Sequence, residues 1–196
     1  MILPRSLAKV TTWADPESSR YALGGVRIGR QKDKCFAEAT DGRRLVLLEW
    51  KDKGPETDAI LDGKKLGRAC RAVKRGQVVM AESPNGVAHV GDMAVPTIQG
   101  RWPKTEDVLD PAKVGSEEST FTVQRLLELA NMIDLKVGDT TVKLNATFVR
   151  ELAETAKAVG SEKIRIRASD AQSAVTCDCA HGNVEMTAVI MPMAAD

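Results

Sequence analysis

One order of elements occurs twice along this 196-residue chain, and that duplication restricts the fold more than any other feature. Each half opens with a short apolar segment that leads into a helical pattern. In the first half Ile2-Leu3 precedes Arg5 to Asp15, with Leu7, Val10 and Trp13 at helical spacing. In the second, Phe121 and Val123 precede Gln124 to Ile133, with Leu126, Leu127, Ala130 and Ile133. Each half then reads strand, helix, strand. The first runs through Thr57–Ile60, Gly63–Arg75 and Val78–Ala81, and the second through Thr140–Leu144, Ala146–Ala158 and Lys163–Ala168. The closing strands also match, Asp92–Pro96 with Glu185–Val189. The repeated unit is βαβββ, an α+β pattern with antiparallel hairpins.

The halves differ in the stretch between their two helices. The first half places strands there at Ala22–Ile28, Cys35–Ala39 and Leu45–Trp50. Asp41-Gly42 between the last two marks a tight hairpin. The second half has only Asp134–Asp139 at that place, a shortfall of about 30 residues, or about three strands with their turns. The polar segment Pro111–Ser119 contains Pro and Gly and reads as a linker. It divides the chain into domains 1–114 and 115–196.

Bulk properties remove several functions. A formal net charge of +1 gives no overall attraction to nucleic acid, so such a role needs local charge asymmetry. Aromatic residues are 4% of the chain, too few for a base-stacking platform. No apolar run reaches the ~20 residues that span a bilayer, and no signal peptide is legible at the N-terminus. A cytoplasmic protein without a membrane partner is expected. Cys35, Cys70, Cys177 and Cys179 match no common zinc spacing and read as reduced thiols, so no metal and no cofactor is expected.

No catalytic residue emerges either. His89 lies in an alternating strand and His181 in a turn, neither beside a Ser or Cys in a nucleophile context. Asp41 sits where a turn requires Asp for backbone reasons. With no phosphate loop and no H-E-x-x-H, the sequence reads as that of a non-enzyme.

Charge asymmetry does occur in one helix. Lys64, Arg68, Arg71 and Arg75 fall at i, i+4, i+7 and i+11, within roughly 60° of one another around a helix axis. Leu66, Ala69 and Val73 take the other side. Such a stripe suits phosphate oxygens and reads no base sequence. The plain alternative is a solvated helix face, although on such faces acids normally alternate with bases. The C-terminal run Ala188–Met193 is open in the same way. It is either a final core strand or an adaptable, methionine-rich surface for a peptide.

Taken in order, five motifs resemble the bacterial DNA polymerase III beta subunit, the sliding clamp. Arg20-Tyr21-Ala22-Leu23-Gly24-Gly25 resembles its R-Y-x-L-N-G strand, and Thr40-Asp41-Gly42-Arg43-Arg44-Leu45 its T-D-G-H-R-L turn. Gly100-Arg101-Trp102-Pro103 with Val108-Leu109 resembles the G-x-F-P segment. Leu144-Asn145-Ala146-Thr147-Phe148 resembles the F-N-x-x-Y helix opening, and Val189–Met193 the V-V-M-P-M C-terminal strand. The resemblance covers the middle and last domains of a three-domain clamp, with the last one truncated.

It implies DNA-clamp domains with helices on one face and antiparallel sheets on the other. It implies that Lys64, Arg68, Arg71 and Arg75 contact the backbone of double-stranded DNA. It also implies an apolar pocket at the junction of the halves, which takes short linear motifs of DNA polymerase, clamp-loader or repair proteins. Leu23, Thr40, Gly42, Arg43, Arg44 and Leu45 would come from the first half, and Asn145, Phe148, Val189, Ile190, Met191, Pro192 and Met193 from the second. The stems of Arg43 and Arg44 would pack on the peptide while their guanidinium groups stay hydrated. Two assemblies stay open: a homo-oligomeric ring around DNA, and a non-ring module that binds or competes for clamp-client peptides.

Overall fold

The computed structural model describes residues 1–18, 22–53, 57–83, 86–129 and 133–194. They form two compact units. The first is Met1–Gly42 with Val46–Pro103, and the second is Arg43–Leu45 with Lys104–Asp196. Ala130, Arg20 and Tyr21, which figure in the sequence patterns, lie outside the described residues.

The first unit runs β1 (Ile2–Leu3), α1 (Leu7–Val10), a 3-10 turn (Thr11–Trp13), β2 (Gly25–Gln31), β3 (Lys34–Thr40), β4 (Arg44–Lys51), β5 (Asp58–Asp62), α2 (Gly63–Ala72), β6 (Val78–Ser83), β7 (Val87–Val90) and β8 (Met93–Pro96). It is βαβββ performed twice. One antiparallel sheet has the order β5-β2-β3-β4 and the other β1-β6-β7-β8. Leu7, Val10 and Trp13 are fully buried, as are Leu66 and Ala69 of α2. The approach of the two helical segments is close, because a Cβ at Gly67 would stand 2.5 Å from Thr11 Oγ1. The G-R-W-P segment also folds back onto this unit. Ala22 N–H donates to Arg101 O at 3.2 Å, and Trp102 Nε1–H donates to Oε2 of the buried Glu38 at 2.8 Å.

The second unit runs β9 (Glu117–Thr122), α3 (Val123–Glu128), β10 (Ile133–Val137), β11 (Thr140–Leu144), α4 (Ala146–Val159), β12 (Lys163–Ala168), β13 (Val175–His181) and β14 (Val184–Ile190). One sheet has the order β14-β13-β12-β9, and the other is the hairpin β10-β11. Helix α4 packs on α3 and on β12, β13 and β14. Val149, Leu152, Ala153, Ala156 and Val159 recur at helical spacing and are all buried. The helix starts where Asn145 Oδ1 accepts from Thr147 N–H at 2.8 Å. It stops at Gly160, whose φ of 98° is a left-handed cap that favours glycine.

The structure corrects several sequence expectations. The N-terminal helix is one turn plus a 3-10 turn, because Ala14-Asp15-Pro16 follows and Pro cannot continue a helix. Helix α3 ends at Glu128, so the pattern carried on to Ile133 misassigns a strand residue. Helix α2 ends at Ala72, which leaves Arg75 outside it. Leu23 precedes β2 in a turn rather than lying on a strand. The segment Asp134–Asp139 is more than a connection, since Ile133–Val137 is itself a strand. Its alternation of buried and exposed residues follows the strict alternation of Ile133, Leu135 and Val137 with the charged Asp134 and Lys136, the pattern of a half-buried strand.

Candidate functional site

The Asp41-Gly42 hairpin gives the first group of site residues. Thr40 ends β3, buried, and its Oγ1 accepts from Gly42 N–H at 3.1 Å. Gly42 turns the chain at a φ of +86°. Leu23 is buried, and its carbonyl accepts from Asp15 N–H at 2.8 Å.

In the second unit the segment Arg43–Leu45 meets the C-terminal tail. Met191 N–H donates to Arg43 O at 2.9 Å, and Met193 N–H donates to Lys143 O at 2.8 Å. Pro192 between them has no N–H to satisfy. The tail backbone is therefore pinned on both sides of Pro192 while Met191 as a residue is 47% exposed. Val189 and Ile190 are buried as strand residues of β14, and Leu45 is buried as well. Pro192 and Met193 are half-buried.

Arg44 departs from the sequence expectation. Its side chain is buried, with the residue 8% exposed, and its guanidinium pairs with the Glu151 carboxylate of α4. The same guanidinium lies over the Phe148 ring, 4.4 Å from the centroid. A desolvated guanidinium needs a counter-charge, and α4 supplies one three residues beyond Phe148, on the same helix face. Arg44 is thus a strut that fixes Phe148, and its head is not hydrated. Arg43 is the exposed arginine of the two. Asn145, the cap of α4, sets the start of the helix that carries both Phe148 and Glu151. Glu151→Gln keeps an acceptor but removes the charge. It is expected to lower unfolding stability by about 1–2 kcal/mol, since a bond to a charged group is worth more than a neutral one and partial exposure reduces the difference. Urea denaturation checks this, and an unchanged midpoint would make the pair energetically silent.

The second candidate surface is α2. Asp62 caps it, its Oδ1 accepting from Lys65 N–H at 2.8 Å. Lys64, Arg68 and Arg71 are exposed on the helix, and Arg75 is exposed beyond it. The structure adds Lys65, also exposed on α2, and Lys74, exposed after it. Among the described residues none of these six cations has a carboxylate within 4 Å. Arg5 tightens the turn after the helix, donating to Lys74 O at 3.3 Å and Gly76 O at 3.0 Å. The helices of the second unit are different. There Arg125 pairs with Glu128, and Arg150 and Lys157 alternate with Glu151 and Glu154.

Among the described residues no group of three or more His, Cys, Asp or Glu is placed for one. Burial pushes the Cys70 and Cys179 thiols up to about 11, so both stay protonated. Among the described residues no helix is long and apolar enough to cross a membrane.

No protein-family model and no curated protein matches the sequence. Solved structures do match. A DNA polymerase sliding clamp from Pseudomonas aeruginosa is 18% identical, with a TM-score of 0.78 over 100% of this chain and 66% of its own. A putative DNA polymerase III beta subunit from Eubacterium rectale is 13% identical, with a TM-score of 0.78 over 100% and 65%. The Helicobacter pylori beta clamp is 14% identical, with a TM-score of 0.74 over 97% and 63%. The chain spans about two thirds of the length of these clamps. Two units of helices and antiparallel sheets, the first built from two βαβββ passes, have the fold of the bacterial DNA polymerase sliding clamp.

Proposed function

We propose that this chain is a sliding-clamp-like DNA replication protein, not an enzyme, that holds double-stranded DNA without reading its sequence and docks short linear motifs of DNA polymerase, clamp-loader or repair proteins. The observation that carries the reading is the cationic face of α2 on a clamp fold. Lys64, Arg68 and Arg71, with Arg75 just beyond, offer charge to phosphates and no fixed pattern to base edges. The peptide surface centres on Phe148, held under Arg44, and on the exposed Met191. A preformed backbone with a flexible thioether suits apolar peptide anchors. Asn145, Arg43, Leu45 and Val189–Met193 frame that surface. Leu23, Thr40 and Gly42 belong to the proposal through the motif resemblance. A cytoplasmic location and a homo-oligomer go with the same reading.

A second reading is a non-ring module that competes for clamp clients. It is favoured by the second unit's β10-β11 sheet, which among the described residues has two strands where the first unit builds four. Two measurements on one preparation separate the readings: retention on nicked circular against linearised DNA, and anisotropy of a labelled Gln-Leu-type clamp-binding peptide. The clamp reading expects retention on the circle alone, and peptide binding that falls about 30-fold or more in Phe148→Asp, the size of a hot-spot loss. Peptide binding with equal loss from both DNAs supports the non-ring module. No binding of either ligand overturns both.

A further inference from the structure

Among the described residues the hairpin β10-β11 has one covered edge and one edge without a strand partner. Its strands pair Val137 with Thr140, Lys136 with Thr141, Leu135 with Val142, Asp134 with Lys143 and Ile133 with Leu144. The loop between them is the two residues Gly138-Asp139, so Val137 and Thr140 form a hydrogen-bonded pair and the pairs alternate from there. Ile133, Leu135 and Val137 therefore spend their backbone groups on β11. Asp134 and Lys136 point theirs away from it, as Lys143 and Thr141 do on the other side. One observed bond agrees with this parity: Lys143 O, on the outer side of β11, accepts from Met193 N–H. The C-terminal tail thus covers β11, whereas among the described residues no strand lies beyond β10.

The first unit supplies the internal standard. There the strand leading into the second helix is β5, and its partner is β2, which follows the first helical segment. In the second unit β11 leads into α4, and its partner β10 follows α3. β10 therefore holds the place of β2. The far edge of β2 is filled by β3, and that of β10 by no strand among the described residues. A strand edge with unspent N–H and C=O groups is a template for another strand.

We infer that the bare edge of β10 pairs with β10 of a second copy of this chain, antiparallel and about a two-fold axis at Leu135. The side chains select this occupant. Asp134 and Lys136 are the exposed residues of the strand, and they are also the ones whose backbone groups face the open edge. With Leu135 opposite its symmetry mate, Asp134 of each copy faces Lys136 of the other in a hydrogen-bonded pair, and opposite charges across strands are favourable. Shifting the centre to Asp134 or to Lys136 sets like charges face to face, so the charges also fix the register. The product is a continuous sheet β11-β10-β10-β11, with the number of strands that β5-β2-β3-β4 reaches within one unit. It cannot propagate, because the pairing is isologous and the tail covers β11 on both outer sides.

Sedimentation equilibrium of the full chain tests this without DNA or peptide, and the charge variants separate it from the homo-oligomer of the clamp reading, which does not depend on Asp134 or Lys136. The wild type is expected to dimerise reversibly. Asp134→Lys and Lys136→Asp are each expected to raise the dimer dissociation constant about tenfold or more, since each places like charges across both symmetric pairs. A 1:1 mixture of the two variants is expected to recover wild-type dimerisation, because every cross-strand pair then joins opposite charges. That recovery also excludes misfolding as the cause of the loss. Three results would each overturn the inference: a wild type that stays monomeric across the concentration range, single variants that dimerise like the wild type, or a three-chain species indifferent to both substitutions.

Discussion

Replacing Lys64, Arg68 and Arg71 of α2 together with alanine is expected to weaken binding to a double-stranded DNA of arbitrary sequence by about two to three orders of magnitude near 0.1 M salt. Each phosphate contact releases about 0.9 of a condensed counterion from B-DNA, so three lost contacts remove about 2.7 from the slope of log K against log salt. The three side chains are exposed and without an acidic neighbour within 4 Å among the described residues. Their loss should therefore leave the core of the first unit intact, and alanine is the better helix former. The effect should be the same for unrelated DNA sequences, because phosphate contacts carry no base information. Fluorescence anisotropy across a salt series reads both affinity and slope. An unchanged slope would return α2 to the status of an ordinary solvated helix. Arg150→Ala with Lys157→Ala in α4 is the matching control, since those cations alternate with Glu151 and Glu154.

The second large effect concerns stability. Leu152→Ala in α4 is expected to cost about 2–5 kcal/mol, a large part of the 5–15 kcal/mol that holds a typical domain together. Leu152 is fully buried, in the helix that packs on α3, β12, β13 and β14. The cost adds a lost transfer free energy to a cavity that a helix clamped by three strands and another helix cannot collapse into. The same helix carries Phe148 and Glu151, so peptide binding should fall with the folded fraction and recover at lower temperature. Far-UV circular dichroism with a denaturant titration measures it. A loss under 1 kcal/mol would show that α4 relaxes around the void.

Much of the architecture was legible before any coordinates. Strands β11 and β12 begin and end where alternation and turn residues place them, and α4 differs by one residue at its end. These segments combine strong periodicity with local punctuation: Asn145 at the start of α4 and Gly160 at its end. Two of the expectations that failed lacked such punctuation. The apolar spacing of Leu126, Leu127 and Ile133 continues past the residue where α3 stops, and Ile133 belongs to a strand. Arg75 shares the spacing of α2 but follows its last turn. In both cases hydrophobic or charge periodicity extended the helix beyond its hydrogen bonds.

At the candidate sites the residue types were readable but several roles were not. Arg43 and Arg44 are adjacent and chemically identical, yet Arg43 is exposed and Arg44 is buried against Phe148 and Glu151. Glu151 escaped notice because its partner is 107 residues away, although its place three residues after Phe148 was a usable signal. Lys143 could not be found from its side chain at all, since it acts through its backbone carbonyl.

The sequence by itself determined the repeated βαβββ order, the cationic face of α2 and the apolar C-terminal run, because periodicity, capping and charge are properties of neighbours along the chain. Only the tertiary structure decided which arginine is buried, which backbone groups pin the tail, and which edge of the β10-β11 hairpin stays bare. Those outcomes depend on desolvation and on strand parity between residues far apart in sequence, and no local pattern encodes either one.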